Sequence, residues 1–248
     1  MKQFSKTAFI VVGILLSSLL FQYCTNNDND ISIYYPNALV TVKHADDNTF
    51  YLQLDEKTTL LPKNVAKSPF GEKEVRALVN FSELDEESKN YSKAVHINWI
   101  DSILTKPTVP YSEEEDFDKI YGGDPVEIVN DWVTIAEDSY LTLRFRTRWG
   151  YTQKPHFVNL LTGVNEENPY EIEFRHNAYG DVWGRPGDAL VAFSLKDLPD
   201  TNGETVKLKL KWMSFTGVKS TEFDYRTNKA TKGSLVLQNE SNFIQAIK

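Results

Sequence analysis

Cysteine is almost missing from this chain: Cys24 stands alone in 248 residues. No disulfide can form within the chain, and no cysteine cluster can hold zinc. Histidine is scarce at four, which leaves little material for a histidine-rich metal site. Glycine at 12 and proline at 10 are too few for a collagen-like or low-complexity chain. Positive charge is in deficit, 27 Lys+Arg against 35 Asp+Glu, for a formal charge of -8. A nucleic-acid binder needs a net or strongly localised positive field, so no nucleic-acid partner is expected. No HExxH, GxSxG, Walker sequence or GxGxxG occurs. The chain is therefore expected to carry no catalytic residues, no metal and no cofactor, and not to be an enzyme. Apolar residues reach 41% and charged residues 25%, enough to build packed cores rather than a disordered chain.

The start of the chain reads as an address. Lys2 and Lys6 precede an uncharged apolar run, Thr7–Phe21. At about fifteen residues it falls short of the roughly twenty that span a bilayer, and it fits a secretory signal peptide over 1–23. Cys24 follows, then the polar stretch TNNDND. This arrangement resembles a bacterial lipoprotein signal, in which the cysteine becomes the first mature residue and its thiol receives a diacylglycerol. A thiolate is the nucleophile such acylation needs. Tyr23 departs from the small residue usual before that cysteine. The resemblance implies a membrane partner through the lipid, and a cell-envelope, outer-membrane location facing either the periplasm or the exterior. Asp28 and Asp30 weakly resemble the short acidic export signal of Bacteroides-group lipoproteins. Residues 24–37 would form the tether and lead-in.

Two β-rich blocks follow. ALVTVK at 38–43, FYLQLD at 50–55 and EVRALVNF at 74–81 alternate apolar and polar residues at period two, as half-buried strands do. Val75, Ala77, Val79 and Phe81 share one face, with Glu74, Arg76 and Asn80 opposite. With short strands at 58–61 and near 95–99, the block 38–106 is predicted to be a small five-stranded OB-like barrel, closed to hide its edges. Pro107, Pro110 and the acidic run SEEEDFD at 112–118 predict a linker over 107–124, since crowded like charges are cheapest in water. Leu141, Leu143 and Phe145 alternate with Arg144, Arg146 and Arg148, and similar strands lie near 170–176, 191–195 and 206–212. Strands with one apolar face need a second layer, so 125–248 is predicted to be an antiparallel β-sandwich. The fold class is all-β.

The segments ALVTVK, FYLQLD, TTLLP at 58–62, EVRALVNF and VHINWIDSILTK at 95–106 resemble the first half of the NigD-like lipoprotein family. YLTLRFRTRWG at 140–150, EFRHNAYGD at 173–181 and VAFSLKDLPDTNGETVKLKLKW at 191–212 resemble its second half. The resemblance implies an OB-like domain followed by a β-sandwich, in a family of Bacteroides-group bacteria whose molecular function is unestablished. Its name comes from a bacteriocin-associated gene cluster.

Two surface features are candidates for binding. Arg144, Arg146 and Arg148 share a face at spacing two, where like charges repel unless compensated. Their expected partners are Glu171 and Glu173 on a neighbouring strand. The functional alternative is an anion or an acidic glycan, which arginine's planar fork suits. The loop 177–188 (NAYGDVWGRPGD) carries Tyr179, Trp183, Asp181, Arg185 and Asp188. Trp183 is expected to pack over the sandwich end as a lid, with stacking on a sugar or anchoring of a protein as the alternative. The expected function is a non-enzymatic interaction or structural module of the envelope with a protein or glycan partner. The rival is a carbohydrate-active enzyme built from carboxylates that meet only in space.

Overall fold

The computed structural model describes residues 34–45, 49–113, 117–152 and 154–227. The expected signal peptide, Cys24 and most of the tether lie outside those residues, as do the centre of the acidic run at 114–116 and the C-terminal residues after 227.

Alternating apolar residues make the first unit. β1 (Ala38–His44), β2 (Phe50–Gln53), β3 (Thr59–Pro62), β4 (Val75–Leu84) and β5 (Lys93–Ser102) close into a barrel in the order β1-β2-β3-β5-β4. Val40, Val42, Leu52, Leu60, Val79 and Val95 fill it and are fully buried. A bulge between Asn80 and Phe81 shifts the β4–β5 register. Bulges add the bend and twist that closing so small a sheet requires.

The chain then enters the second unit without a gap. β6 (Leu104–Pro107) and β7 (Val109–Pro110) are followed by the five-residue helix α1 (Phe117–Tyr121), then β8 (Glu127–Val129), β9 (Ile135–Glu137) and β10 (Tyr140–Trp149). β11 (Phe157–Thr162), β12 (Glu171–Asn177), β13 (Arg185–Ser194), β14 (Val206–Ser214) and β15 (Gly217–Tyr225) complete it. One sheet runs β6-β13-β10-β8, with β9 also on β10, and the other runs β15-β14-β12-β11-β7. The start of the segment read as a linker is thus built into both sheets, β6 against β13 and β7 against β11.

The sandwich is mixed rather than wholly antiparallel, because β12–β14, β13–β6 and β11–β7 are parallel pairs. The path of the chain explains the first of these. After β12 it crosses to the other sheet for β13, and it re-enters beside β12 in the original direction. Phe145, Phe174 and Phe193 meet between the sheets, with ring centres 5.3 and 6.1 Å apart. Leu141, Leu143, Leu160, Ile172, Leu208 and Leu210 surround them, all fully buried.

Barrel and sandwich share a seam. Leu39, Leu78 and Ile103 pack on Val133, Leu190 and Ala192, with Trp99 and Trp132 beside them. Arg76 sits in this seam with no exposed surface. Its Nε donates to Thr142 Oγ1 (3.3 Å), its Nη1 to Thr41 Oγ1 (2.9 Å), and its Nη2 to the Glu137 carboxylate. Burial pushes the Glu137 carboxyl upward against the pull of Arg76. The polar face of β4 is therefore the docking face of the barrel.

Candidate functional site

β10 and β13 pair along their whole length, from Tyr140 opposite Ser194 to Trp149 opposite Arg185. Alternation turns the arginine column of β10 away from the core. Its partners are not Glu171 and Glu173, because those acids lie on β12 in the other sheet. Glu171 instead takes Lys209 and Lys211, each at 3.1 Å, and Glu173 takes Arg175 at 2.8 Å. Asp188, opposite Arg146 in register, accepts from Arg144 Nε (2.8 Å) and Arg146 Nε (2.5 Å). Arg144 Nη1 also donates to Asp131 (2.7 Å). Burial alone would raise the Asp188 carboxyl, but hydrogen bonds from Arg146 and Arg144 outweigh it and hold the group below its ordinary range. Arg148 and Arg185 are exposed and form no ion pair among the described residues.

At this end of the sandwich two loops meet, 150–156 after β10 and 178–184 after β12. Asp181 ties them together. Its carboxylate accepts from Gly150 N (3.0 Å), Thr152 N (3.2 Å) and Thr152 Oγ1 (2.6 Å), and its carbonyl also faces Gly150 N (3.1 Å). The Thr152 hydroxyl is the largest influence holding the Asp181 carboxyl below its ordinary range. The approach is close. A Cβ on Gly184 would collide with the Trp149 carbonyl, and one on Gly150 with the Asp181 carboxylate. Tyr179 (φ 50°) and Gly180 (φ 82°) make the turn, and Tyr179 packs edge-on against Phe157 at 5.4 Å.

This arrangement reverses the expectation for Trp183. Asp181 is the buried anchor of the loop, and Trp183, two residues on, is 89% exposed. Tyr151 on the facing loop is 84% exposed and Tyr179 49%. Trp183 is not a packed lid. Arg185 also differs from its expected place in a loop: it opens β13.

Beneath the loops lies a pair of buried histidines. His176 ends the inward row Ile172, Phe174, His176 of β12, and His156 precedes the inward Val158 of β11. His156 Nδ1 and His176 Nε2 are 2.9 Å apart. His176 Nδ1 faces the Asp124 carbonyl at 3.3 Å, and His156 Nε2 faces Asp181 Oδ2 at 3.5 Å without a hydrogen bond. Trp149 stacks on the His156 ring at 4.3 Å. Three contacts each want one proton, and two neutral imidazoles supply only two. One added proton would satisfy all three. Burial opposes that proton: it lowers His156 despite Asp181, and it lowers His176, with help from His156, to about 4.

Of the candidate residues named from the sequence, Arg146, Arg148, Tyr179, Trp183 and Arg185 come to the loop end of the sandwich, and Arg144 stays further down the column. Sequence reasoning missed Tyr151, Lys154 and the histidine pair, and it named Asp181 in the loop without the anchoring role that the structure gives it. His176 carried a signal, since it falls in phase with Tyr170, Ile172 and Phe174. His156 carried none, because no strand pattern reaches it.

Comparison with known proteins bears on this fold. The NigD-like N-terminal OB domain matches residues 39–103, and the NigD-like C-terminal beta sandwich domain matches residues 107–225. A crystal structure from Parabacteroides distasonis, labelled toxin related, shares 38% identity over 77% of this chain and 92% of its own, with a TM-score of 0.65. A protein of unknown function from Bacteroides vulgatus shares 24% identity over 80% and 94%, with a TM-score of 0.62. A NigD-like immunity protein from Bacteroides caccae shares 19% identity over 76% and 96%, with a TM-score of 0.54. No curated protein matches the chain. With an OB barrel and a β-sandwich in the family's order, and a relative at 38% identity across nearly its full length, the chain belongs to the NigD-like family.

Proposed function

We propose that this NigD-like protein is lipid-anchored in the bacterial cell envelope, at the outer membrane, and works by binding rather than catalysis. Its working face is the loop end of the sandwich. The observation that carries this reading is Trp183, 89% exposed on a loop whose neighbour Asp181 is buried and hydrogen-bonded. An indole in water gains free energy when covered. A loop already held in place has little ordering left to undergo when a partner arrives. Tryptophan, tyrosine and arginine also dominate measured binding energies. The non-catalytic reading is supported by the commitments of the polar groups here. The Thr152 hydroxyl donates to Asp181 rather than to a histidine, and the histidine pair is buried beneath the loops. The anchor is supported by the basic start, the apolar run and Cys24.

Two experiments test this. Cys24→Ser should abolish fatty-acid incorporation and move the protein to the soluble fraction. Unchanged acyl labelling would remove the anchor from the reading. A photoreactive side chain at position 151 should form crosslinks to envelope components in intact cells. Trp183→Ala should leave the melting curve in place and abolish those crosslinks. Crosslinks that survive the substitution would show that binding lies elsewhere.

A further inference from the structure

We infer that the loop end of the sandwich binds an acidic glycan, a saccharide bearing uronate carboxylates. The inference rests on the reading that Trp183 marks the working face, and it names the ligand class for that face.

Charge is the first argument. The chain carries a formal charge of -8, yet this end presents Arg148, Arg185 and Lys154, none in an ion pair among the described residues. The nearby acids are already committed. Asp181 is taken up by the hydrogen bonds that join the loops, and Asp188 by Arg144 and Arg146. Asp124 accepts the Ala178 amide at 2.7 Å. Those amide and hydroxyl donors leave Asp181 and Asp124 charged, but Arg148, Arg185 and Lys154 outnumber them, so the balance at this end is positive on an otherwise acidic protein. A guanidinium matches a carboxylate with two parallel hydrogen bonds, so arginine suits a ligand with discrete carboxylates.

Shape is the second argument. Trp183 and Tyr151 stand exposed on loops that Asp181 joins, and Arg185 follows Trp183 by two residues. Aromatic faces set beside a few polar groups are what saccharide recognition uses, since a sugar offers a C–H face to the ring and oxygens to the donors around it. A protein partner fits less well. A stable protein interface covers about 800 Å² on each side around an apolar centre. Here the rings are set among Gly150, Thr152, Gly180, Gly184 and the exposed Pro186, with Val182 partly buried and no leucine, isoleucine or methionine in either loop. A patch of this composition suits a few sugar units.

Polygalacturonate is the probe. The chain without its leader should be retarded in native gels containing polygalacturonate, and its tryptophan fluorescence should change on titration with galacturonate oligomers. Methyl esterification of the polymer, which removes its charge, should abolish both effects. Trp183→Ala and Arg185→Ala should each weaken binding about tenfold with unchanged melting curves. Polyglutamate, an acidic polymer without sugar faces, should not bind. Absence of polygalacturonate binding would overturn the inference, and so would equal binding of polyglutamate or undiminished binding by the two variants. If polygalacturonate fails while Trp183-dependent crosslinks persist in the envelope, the ligand class falls and the binding face stands. If both fail, both fall.

Discussion

Acid should destabilise this protein first through His176. The ring is 1% exposed, lies 2.9 Å from a second imidazole and has its pKa lowered from 6.5 to about 4 by burial and by His156. The unfolded chain therefore binds a proton between those values that the folded chain refuses. Stability is full above pH 6.5 and falls as pH drops toward 4. At 1.36 kcal/mol per unit the loss is about 3 kcal/mol by pH 4. His156 is lowered as well and adds in the same direction. Asp188, Glu74 and Glu171 are held below their ordinary range, so the stability they contribute is lost at lower pH still. Glu137 is raised and opposes the histidines, because protonating it favours the folded state. A difference measurement removes that term. Urea unfolding of wild type and His176→Gln between pH 7.5 and 4 should show the wild type losing stability more steeply by about 2–3 kcal/mol. Two imidazole resonances should also fail to titrate at 6.5 by NMR. A wild-type-minus-variant difference that stays flat across the window would refute the reasoning, as would a His176 ring titrating at 6.5.

Other perturbations follow from the same geometry. Arg76→Ala leaves Glu137 buried without its cation and should cost about 3–5 kcal/mol in urea unfolding, whereas Arg76→Met with Glu137→Leu should recover much of it. Gly184→Ala forces a Cβ onto the Trp149 carbonyl and should cost about 1–3 kcal/mol, while Gly203→Ala, with open space at its Cβ but φ 83°, should cost about 1 kcal/mol from backbone strain alone. Trp149→Ala, which removes the ring stacked on His156, should cost about 3–5 kcal/mol, against a change within about 0.5 kcal/mol for the exposed Trp183→Ala.

The barrel was legible in the sequence because each of its strands turns a period-two apolar row inward, although β1 and β4 also bury their other face, Leu39, Thr41, Arg76 and Leu78, in the seam. Val40 and Val42, Leu52, Leu60, Val79 and Val95 fall at period two and all reach the same core. The sandwich was legible only in part. β10, β12 and β14 alternate strongly, but β13 is an apolar run from Ala189 to Phe193 buried on both faces, and β6 to β9 have two to four residues each, too few to show a period. β15 is polar and exposed along most of its length. Its backbone ladder with β14 runs from Val206–Tyr225 to Ser214–Gly217, and only Phe223 and Tyr225 at its far end reach the core, too short a row for hydrophobic periodicity to mark the strand. The parallel pairings were not legible for a different reason. Alternation fixes which face of a strand is buried, but not which strand lies beside it.

The site shows the same division at the level of single charges. Spacing placed Arg144, Arg146 and Arg148 on one face, and they do share it. It could not say which acid each would meet, since that depends on which strands become neighbours. The column proves to be graded by burial. At its lower end the barrel covers Thr142, and Arg76 comes down onto it with Glu137 in a fully desolvated cluster. Arg144 follows, half-buried between Asp131 and Asp188, then Arg146, exposed but paired to Asp188. Arg148 comes last, with no acid beside it among the described residues. Desolvating a charge costs several kcal/mol unless a partner is supplied, so partners are needed where the barrel excludes water and become dispensable as water returns. By this logic one stripe of like charge serves two ends. Its lower part is part of the joint between barrel and sandwich, and only its last member, beside the loops of Trp183 and Tyr151, remains available to an anion from outside.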